Sequence, residues 1–414
     1  MSQESPDQSH KELIIRPSTG LVTLPDGSSS PMAEIISRSI AHIQTRKALA
    51  IRYRVGEHEL LWPDYHLVCA WAEQLQMTRE EVLNNLLIPG FDSWMSWDTS
   101  ILNGRFNALR IDETTLPIFS VPSITGLAIE SLSLGLTEEF SRLELSIFPN
   151  LRKLSCRVTE LRELDLSGTP LLTELLCDSN RLMELDLFCV PLLTVLWCDS
   201  NPLGRLNLSG VPLLAELRCG GNRLKELDLS AVSRLKVLSC SGSRLATLDL
   251  TPVPHLTKLS FGHVNGFFGH NVGEQLSKID LSVVPLLEEL NCTSAELTEL
   301  DLSSVHLLSE IKCDNNHLTE LNLSAVPCLT ILNCSNNHLA RLDLSRIPRL
   351  TILKCDRNQL TELDLSVVPL ITHLSCRENH LMTTLDIRPL KYLSSLEYDK
   401  NQVLLIQRPD QNFK

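Results

Sequence analysis

Aromatic residues make up only 5% of this 414-residue chain, and no apolar run is longer than a few residues. Short runs exclude a membrane-spanning helix, which takes about 20 consecutive apolar residues. The N-terminal MSQESPDQSHKELIIRP has no apolar stretch of the secretory type, so general secretory export is not expected and a cytoplasmic location is. Positive charge is also scarce, with 37 Lys and Arg against 50 Asp and Glu and a net charge of −13. That balance argues against nucleic acid or an anionic membrane as partner. Nucleophile elbow, phosphate loop and HExxH motifs are missing, so neither catalysis nor a cofactor is expected. His263 and His270, seven apart in the Gly-rich FGHVNGFFGHNVGEQ, are weak evidence for a metal site. What remains is 43% apolar and 21% charged, which suits a folded chain.

Leucine fills the place that aromatics leave, and it does so periodically. Cys156, Cys177, Cys198, Cys219 and Cys240 are spaced by 21 residues, Phe261 holds the next place, and the ladder resumes at Cys292, Cys313, Cys334, Cys355 and Cys376 after a ten-residue insertion. Tyr398 takes the same place one residue late. An Asn follows three residues after the column at Asn180, Asn201, Asn222, Asn316, Asn337, Asn358, Asn379 and Asn401. Asp or Asn stands nine after it, as at Asp165, Asp228 and Asp364, and a proline follows five residues later in most copies, as at Pro170 and Pro369. The consensus is LxxLxCxxNxLxELDLSxVPxL, in twelve copies over about 150–404. Alternation along an extended segment puts Leu175 and Cys177 on one side. No single turn buries those side chains alone, whereas stacked turns do, so the expected architecture is a solenoid with one continuous core.

These motifs resemble the leucine-rich repeat family in its short bacterial form. The resemblance covers some three-fifths of the chain. It implies an α/β repeat fold of stacked parallel strands with a short or irregular convex side. It also implies partner binding through the strand face. Some secreted family members resemble ubiquitin ligases by carrying a catalytic domain after the repeats. The ten residues after this array leave no room for one, which again points away from an enzyme.

Outside the array, residues 1–31 are rich in Ser, Pro, Asp and Gln and read as a disordered leader. Residues 32–104 read as a helical N-terminal domain that caps the solenoid. Its expected helices run over about 32–53, from Pro63-Asp64 with Leu67, Trp71 and Leu75 on one face, and from Thr78. Thr78 and Glu81 form a capping box there. Residues 105–149 read as irregular repeats, 262–275 as the insertion, and 405–414 as a tail allowing only a minimal cap.

Ten of the thirteen cysteines occupy the inward column, where a reduced thiol acts as a small hydrophobe. A straight column with neighbours about 4.8 Å apart does not gather a tetrahedral zinc site. The aligned Asp residues of LDLS are expected to accept backbone N–H bonds at a bend. A second acidic set, Asp178, Asp199, Asp314, Asp356 and Asp399, reads as a solvated strand edge.

The outward strand positions then nominate the binding residues. Leu176, Trp197 and Arg218 follow one another in neighbouring turns, with Val195 and Val237 beside them. Large apolar side chains at outward positions, together with Trp and Arg, are the marks of an interface. Phe267 and Phe268 in the insertion are a second candidate, either as a plug or as an exposed aromatic knob. The leading expectation is a monomeric, non-enzymatic scaffold that binds a partner protein. One alternative is an effector of the type III secreted kind acting on a host protein. Another is a regulator whose N-terminal domain binds a ligand or DNA, although 8 basic against 13 acidic residues in 1–100 oppose DNA.

Overall fold

A computed structural model describes residues 14–16, 21–23, 52–87, 99–102, 105–111, 128–135, 145–262, 276, 278–411 and 413. His263, Phe267, Phe268 and His270 lie outside these residues, as does most of the expected first helix.

The N-terminal part departs from the sequence reading. Within the expected leader, β1 (Ile14–Arg16) and β2 (Leu21–Thr23) pair antiparallel. They join β-favouring runs on either side of a Pro-Ser-Thr-Gly sequence, the composition of a hairpin. Arg52 and Tyr53, placed in a helix above, belong to β3 (Arg52–Val55), which pairs antiparallel with β4 (His58–Leu61). Gly56, at φ 58°, makes the tight turn between them. The two later helices are as expected. α1 (Trp62–Leu75) carries a proline in its first turn, and α2 (Arg79–Leu86) opens with the full capping box. Thr78 Oγ1 accepts from Glu81 N–H at 3.2 Å, and Glu81 Oε2 accepts from Thr78 N–H at 2.8 Å. Leu67, Trp71, Val82, Leu83 and Leu86 are buried in the same core as the solenoid leucines. The unit is therefore a hairpin with two helices, not a purely helical cap.

β5 (Ser100–Leu102) pairs antiparallel with β6 (Arg105–Ile111) and opens the main sheet. From β6 onward every pair is parallel. β7 (Ser131–Leu134) leads into the regular strands, namely β8 (Lys153–Ser155), β9 (Glu174–Leu176), β10 (Val195–Trp197), β11 (Glu216–Arg218), β12 (Val237–Ser239) and β13 (Lys258–Ser260). After the insertion come β14 (Glu289–Asn291), β15 (Glu310–Lys312), β16 (Ile331–Asn333), β17 (Ile352–Lys354) and β18 (His373–Ser375). β19 (Thr384–Asp386) and β21 (Leu404–Ile406) form a separate parallel pair, and β20 (Ser395–Glu397) ends the 15-stranded sheet. The register advances by one repeat per strand, so Leu175, Leu196, Leu217 and Leu238 stand side by side. The result is a solenoid of about twelve turns.

Most regular turns bury the same seven places, with exceptions such as the half-buried Leu248 and Leu300. In one turn these are Leu175, Cys177, Leu182, Leu185, Leu187, Val190 and Leu193, at 0–8% exposure. A buried aliphatic side chain contributes about 1.5–3 kcal/mol, so the stacked column is the main stabilising element. Asparagine joins one turn to the next. Asn180 Nδ2 donates to the carbonyls of Cys156 (2.7 Å) and Cys177 (3.0 Å), while its Oδ1 accepts from Leu161 N–H at 2.9 Å. Asn201, Asn222, Asn316, Asn337, Asn358 and Asn379 repeat the pattern. At the insertion, Gly262 sits at φ +97°, and a Cβ there would lie 2.2 Å from the carbonyl oxygen of Thr293. Only glycine lets the chain leave the stack at that point. The tail gives more than a minimal cap. Gln411 is buried and donates to the carbonyls of Ile387 (3.0 Å) and Leu390 (2.8 Å), taking the part that Asn plays elsewhere.

Candidate protein-recognition face

The face opposite the buried leucines is built from the first and third residues of each strand. Its N-terminal end is closed. Ser131, Ser133, Ser155 and Leu176 are all buried, although their register places them outward. Leu176, expected to meet solvent, is only 6% exposed. Its direct neighbours across the sheet are Ser155 and the much larger Trp197, and a small side chain beside a large one is readily overlaid. From Trp197 onward the face opens, with Val195, Trp197, Arg218 and Val237 half-buried.

The structure surrounds Trp197 with charge. Its indole Nε1–H donates to Glu216 Oε1 at 2.8 Å. The Arg218 guanidinium lies 4.0 Å from the ring centroid and donates through Nε to the same Glu216 oxygen at 2.8 Å. Arg157 reaches across β9 to stand 5.6 Å from the ring centroid, and its Nε donates to Asp178 at 2.6 Å. Both guanidiniums therefore meet the tryptophan as cation–π partners. Trp197, Arg218, Val195 and Val237, nominated from the sequence, lie on three adjacent strands of this face. Sequence reasoning missed Arg157 and Glu216, because their neighbourhood depends on how far the side chains reach across strands.

The second acidic set is not a uniformly solvated edge. Asp178 is buried and paired with Arg157. Asp199 accepts the Gly220 N–H at 2.6 Å, and burial pushes its carboxyl up to about 6, aided by the Asp178 charge and opposed by Gly220, Arg218 and Arg157. Further along, Asp314 Oδ1 accepts from Thr293 and Asn333, and Asp356 Oδ1 accepts from Ser375 Oγ and Arg377 N–H. Apart from the adjacent isoleucines Ile331 and Ile352, the C-terminal half of the face is thus polar and largely engaged with itself.

The other two columns behave as the residue types require. In the LDLS bends, Asp165, Asp228 and Asp364 each accept the backbone N–H two residues on, at 2.9 Å. The hydrogen bonds from Ser230 and Ser303 hold Asp228 and Asp301 below the usual carboxylate range. All thirteen cysteines are free thiols, and the ten of the column are buried. Burial pushes Cys156, Cys240, Cys334 and Cys376 up to about 12. Among the described residues, no group of three or more His, Cys, Asp or Glu is placed to hold a metal ion. None of their helices is long and apolar enough to cross a membrane.

Compared with protein families and with curated proteins, the sequence matches none. Solved structures do match. The functional domain of InlJ from Listeria monocytogenes, whose description includes a cysteine ladder, is similar at 28% identity and TM-score 0.56. That alignment covers 72% of this chain and 64% of the InlJ chain, so this chain spans somewhat under two thirds of that structure's length. YopM from Yersinia enterocolitica is similar at 24% identity and TM-score 0.51, over 69% of this chain and 66% of that one. Toll in the Toll–Spatzle complex of Drosophila aligns over 69% of this chain and 40% of the matched chain, at 19% identity and TM-score 0.53. With its 21-residue turns, parallel strand face and inward cysteine column, the chain fits a bacterial leucine-rich repeat protein.

Proposed function

We propose that this protein is a recognition scaffold that holds a partner protein against the strand face around Trp197. One observation carries the reading. At the place where the face opens, a half-buried tryptophan has the guanidiniums of Arg218 and Arg157 over its ring, its N–H satisfied and valines on nearby outward positions. Aromatic and arginine side chains held rigidly lose little entropy on binding and dominate interfaces of known energetics. Elsewhere the outward positions are mostly polar, and the half-buried pair Ile331 and Ile352 has Asn333 and Lys354, not Trp or Arg, at the other outward place of its strands.

The test is affinity capture from lysate of the native cell, and then of a host cell, comparing wild type with Trp197→Glu. Leu176 is unsuitable as a surface variant because it is buried. Both proteins must first show the same circular dichroism and melting curve. A protein retained by wild type and lost by Trp197→Glu is the expected result. Equal retention by both would move the site off this face.

A further inference from the structure

The charged groups around Trp197 leave one set of donors unused. Arg218 is held at two points, by Nε to Glu216 and by its face against the Trp197 ring. Its two terminal NH2 groups have no acceptor among the described residues, and the side chain is 40% exposed. The neighbouring cations of the face are committed differently. Lys153 pairs with Glu174, Arg157 with Asp178 and Lys258 with Glu289. Arg218 thus presents the end of a guanidinium already fixed in direction, between Trp197 and Ser239 in register, with Val195 and Val237 on either side of Glu216 two residues before it.

A guanidinium end with two parallel N–H bonds matches a carboxylate, and the fork is specific because both bonds need the same plane. An arginine free to rotate gives up that freedom when it binds. Arg218 has already lost it to Glu216 and Trp197. We propose that Arg218 is the specificity-determining residue of the face, receiving an Asp or Glu side chain of the partner while an adjacent apolar partner residue packs on Trp197 and the valines. The partner segment is then an acidic residue next to an aliphatic or aromatic one. This inference rests on the strand-face reading above and adds the chemistry of what binds there.

A random linear 12-residue peptide library displayed on phage, panned against the full chain, supplies the probes. Enriched peptides should carry Asp or Glu beside an apolar residue. In a synthetic copy, replacing that acid by its amide should weaken binding about tenfold or more. Arg218→Lys keeps the charge but loses the fork, and should remove most of the difference between acid and amide peptides. The amide peptide itself should bind Arg218→Lys within about twofold of wild type, the small change expected where no hydrogen-bonded pair is lost. If the enriched peptides need Trp197 but show no acid preference, or their acid is indifferent to Arg218, the proposal falls and the strand-face reading stands. If they bind Trp197→Glu as well as wild type, both fall. A library that yields no ligand also overturns the proposal, since a preorganised fork should select one.

Discussion

The carboxylate of Asp64, in the first turn of α1, accepts both from Arg105 Nε and from the backbone N–H of Phe106, the latter at 3.0 Å. Asp64 is fully buried and Arg105 is part-buried, at 19% exposure. One side chain therefore fastens the hairpin–helix unit to the first long strand of the solenoid. Removing one partner of a buried pair costs up to about 3–5 kcal/mol, and less where the other partner is part-exposed, as Arg105 is. Asp64→Ala should cost that order of stability and expose the α1 amides around Leu67 and Trp71 to hydrogen exchange. Asp64→Leu with Arg105→Met should recover most of the loss, and unchanged exchange in Asp64→Ala would show that the unit is held by other contacts.

Asp199 gives the face a pH dependence of known sign. Its carboxyl titrates at about 6 when folded, against 3.8 in its ordinary range. Between these values the folded chain holds a proton that the unfolded chain has released, so stability falls as pH rises across that window. Asp199→Asn keeps an acceptor for the Gly220 N–H and should flatten this part of the profile. Urea midpoints at intervals from pH 4 to 7 measure it, and identical slopes in the two proteins would remove Asp199 as the cause.

The cysteine column should be chemically silent in the native state. A thiol reacts as its thiolate, and burial disfavours that form throughout the column. Ellman's reagent at pH 8 should find at most Cys69, Cys189 and Cys328, the three half-buried thiols. All thirteen should react in denaturant. Rapid reaction of column thiols in the folded protein would contradict the packed core.

Asn201 donates to the carbonyls of Cys177 and Cys198 and accepts from Leu182 N–H. Asn201→Ala leaves the buried Leu182 N–H without its acceptor, while the Cys177 and Cys198 carbonyls keep Asn180 and Asn222 as donors, and should cost about 1–3 kcal/mol in total. Ser209→Ala, on an exposed bend, should change stability by less than about 0.5 kcal/mol. Equal melting temperatures for the two variants would mean that the ladder is not a coupling between turns.

Stability along the stack is shared between neighbours, as in other repeat arrays. Leu217→Asp places a charge at a fully buried position between Leu196 and Leu238. It should unfold the adjoining turns together, seen as lost hydrogen-exchange protection from β10 to β12. Protection lost at Leu217 alone would argue against a continuous core.

The array was legible because its signals are local and repeat: Leu196 and Cys198 fall inward by strand alternation, and Asn201 marks the bend, whatever else the chain does. The capping box at Thr78 and Glu81 was legible for the same reason, since both partners lie within one turn. The hairpin at Arg52–Leu61 was not. Its residues carry mixed patterning, and the isoleucines just before it suggested a helix that would run on. The site was legible only in part. Trp197 and Arg218 are neighbours by register alone, whereas Arg157 arrives from two strands away.

Sequence alone thus determined the solenoid, its 21-residue turn, the inward thiols and the bend-capping carboxylates, because each follows from a period and from the chemistry of one residue type. Tertiary structure decided which outward positions are open. Leu176 and Trp197 occupy equivalent places in adjacent strands, yet one is buried and the other half-exposed. Exposure depends on what lies over a residue, and side-chain reach across strands is not written in any single repeat. The same holds for Asp178 and Asp199, whose burial and partners come from Arg157 and Gly220 one turn away.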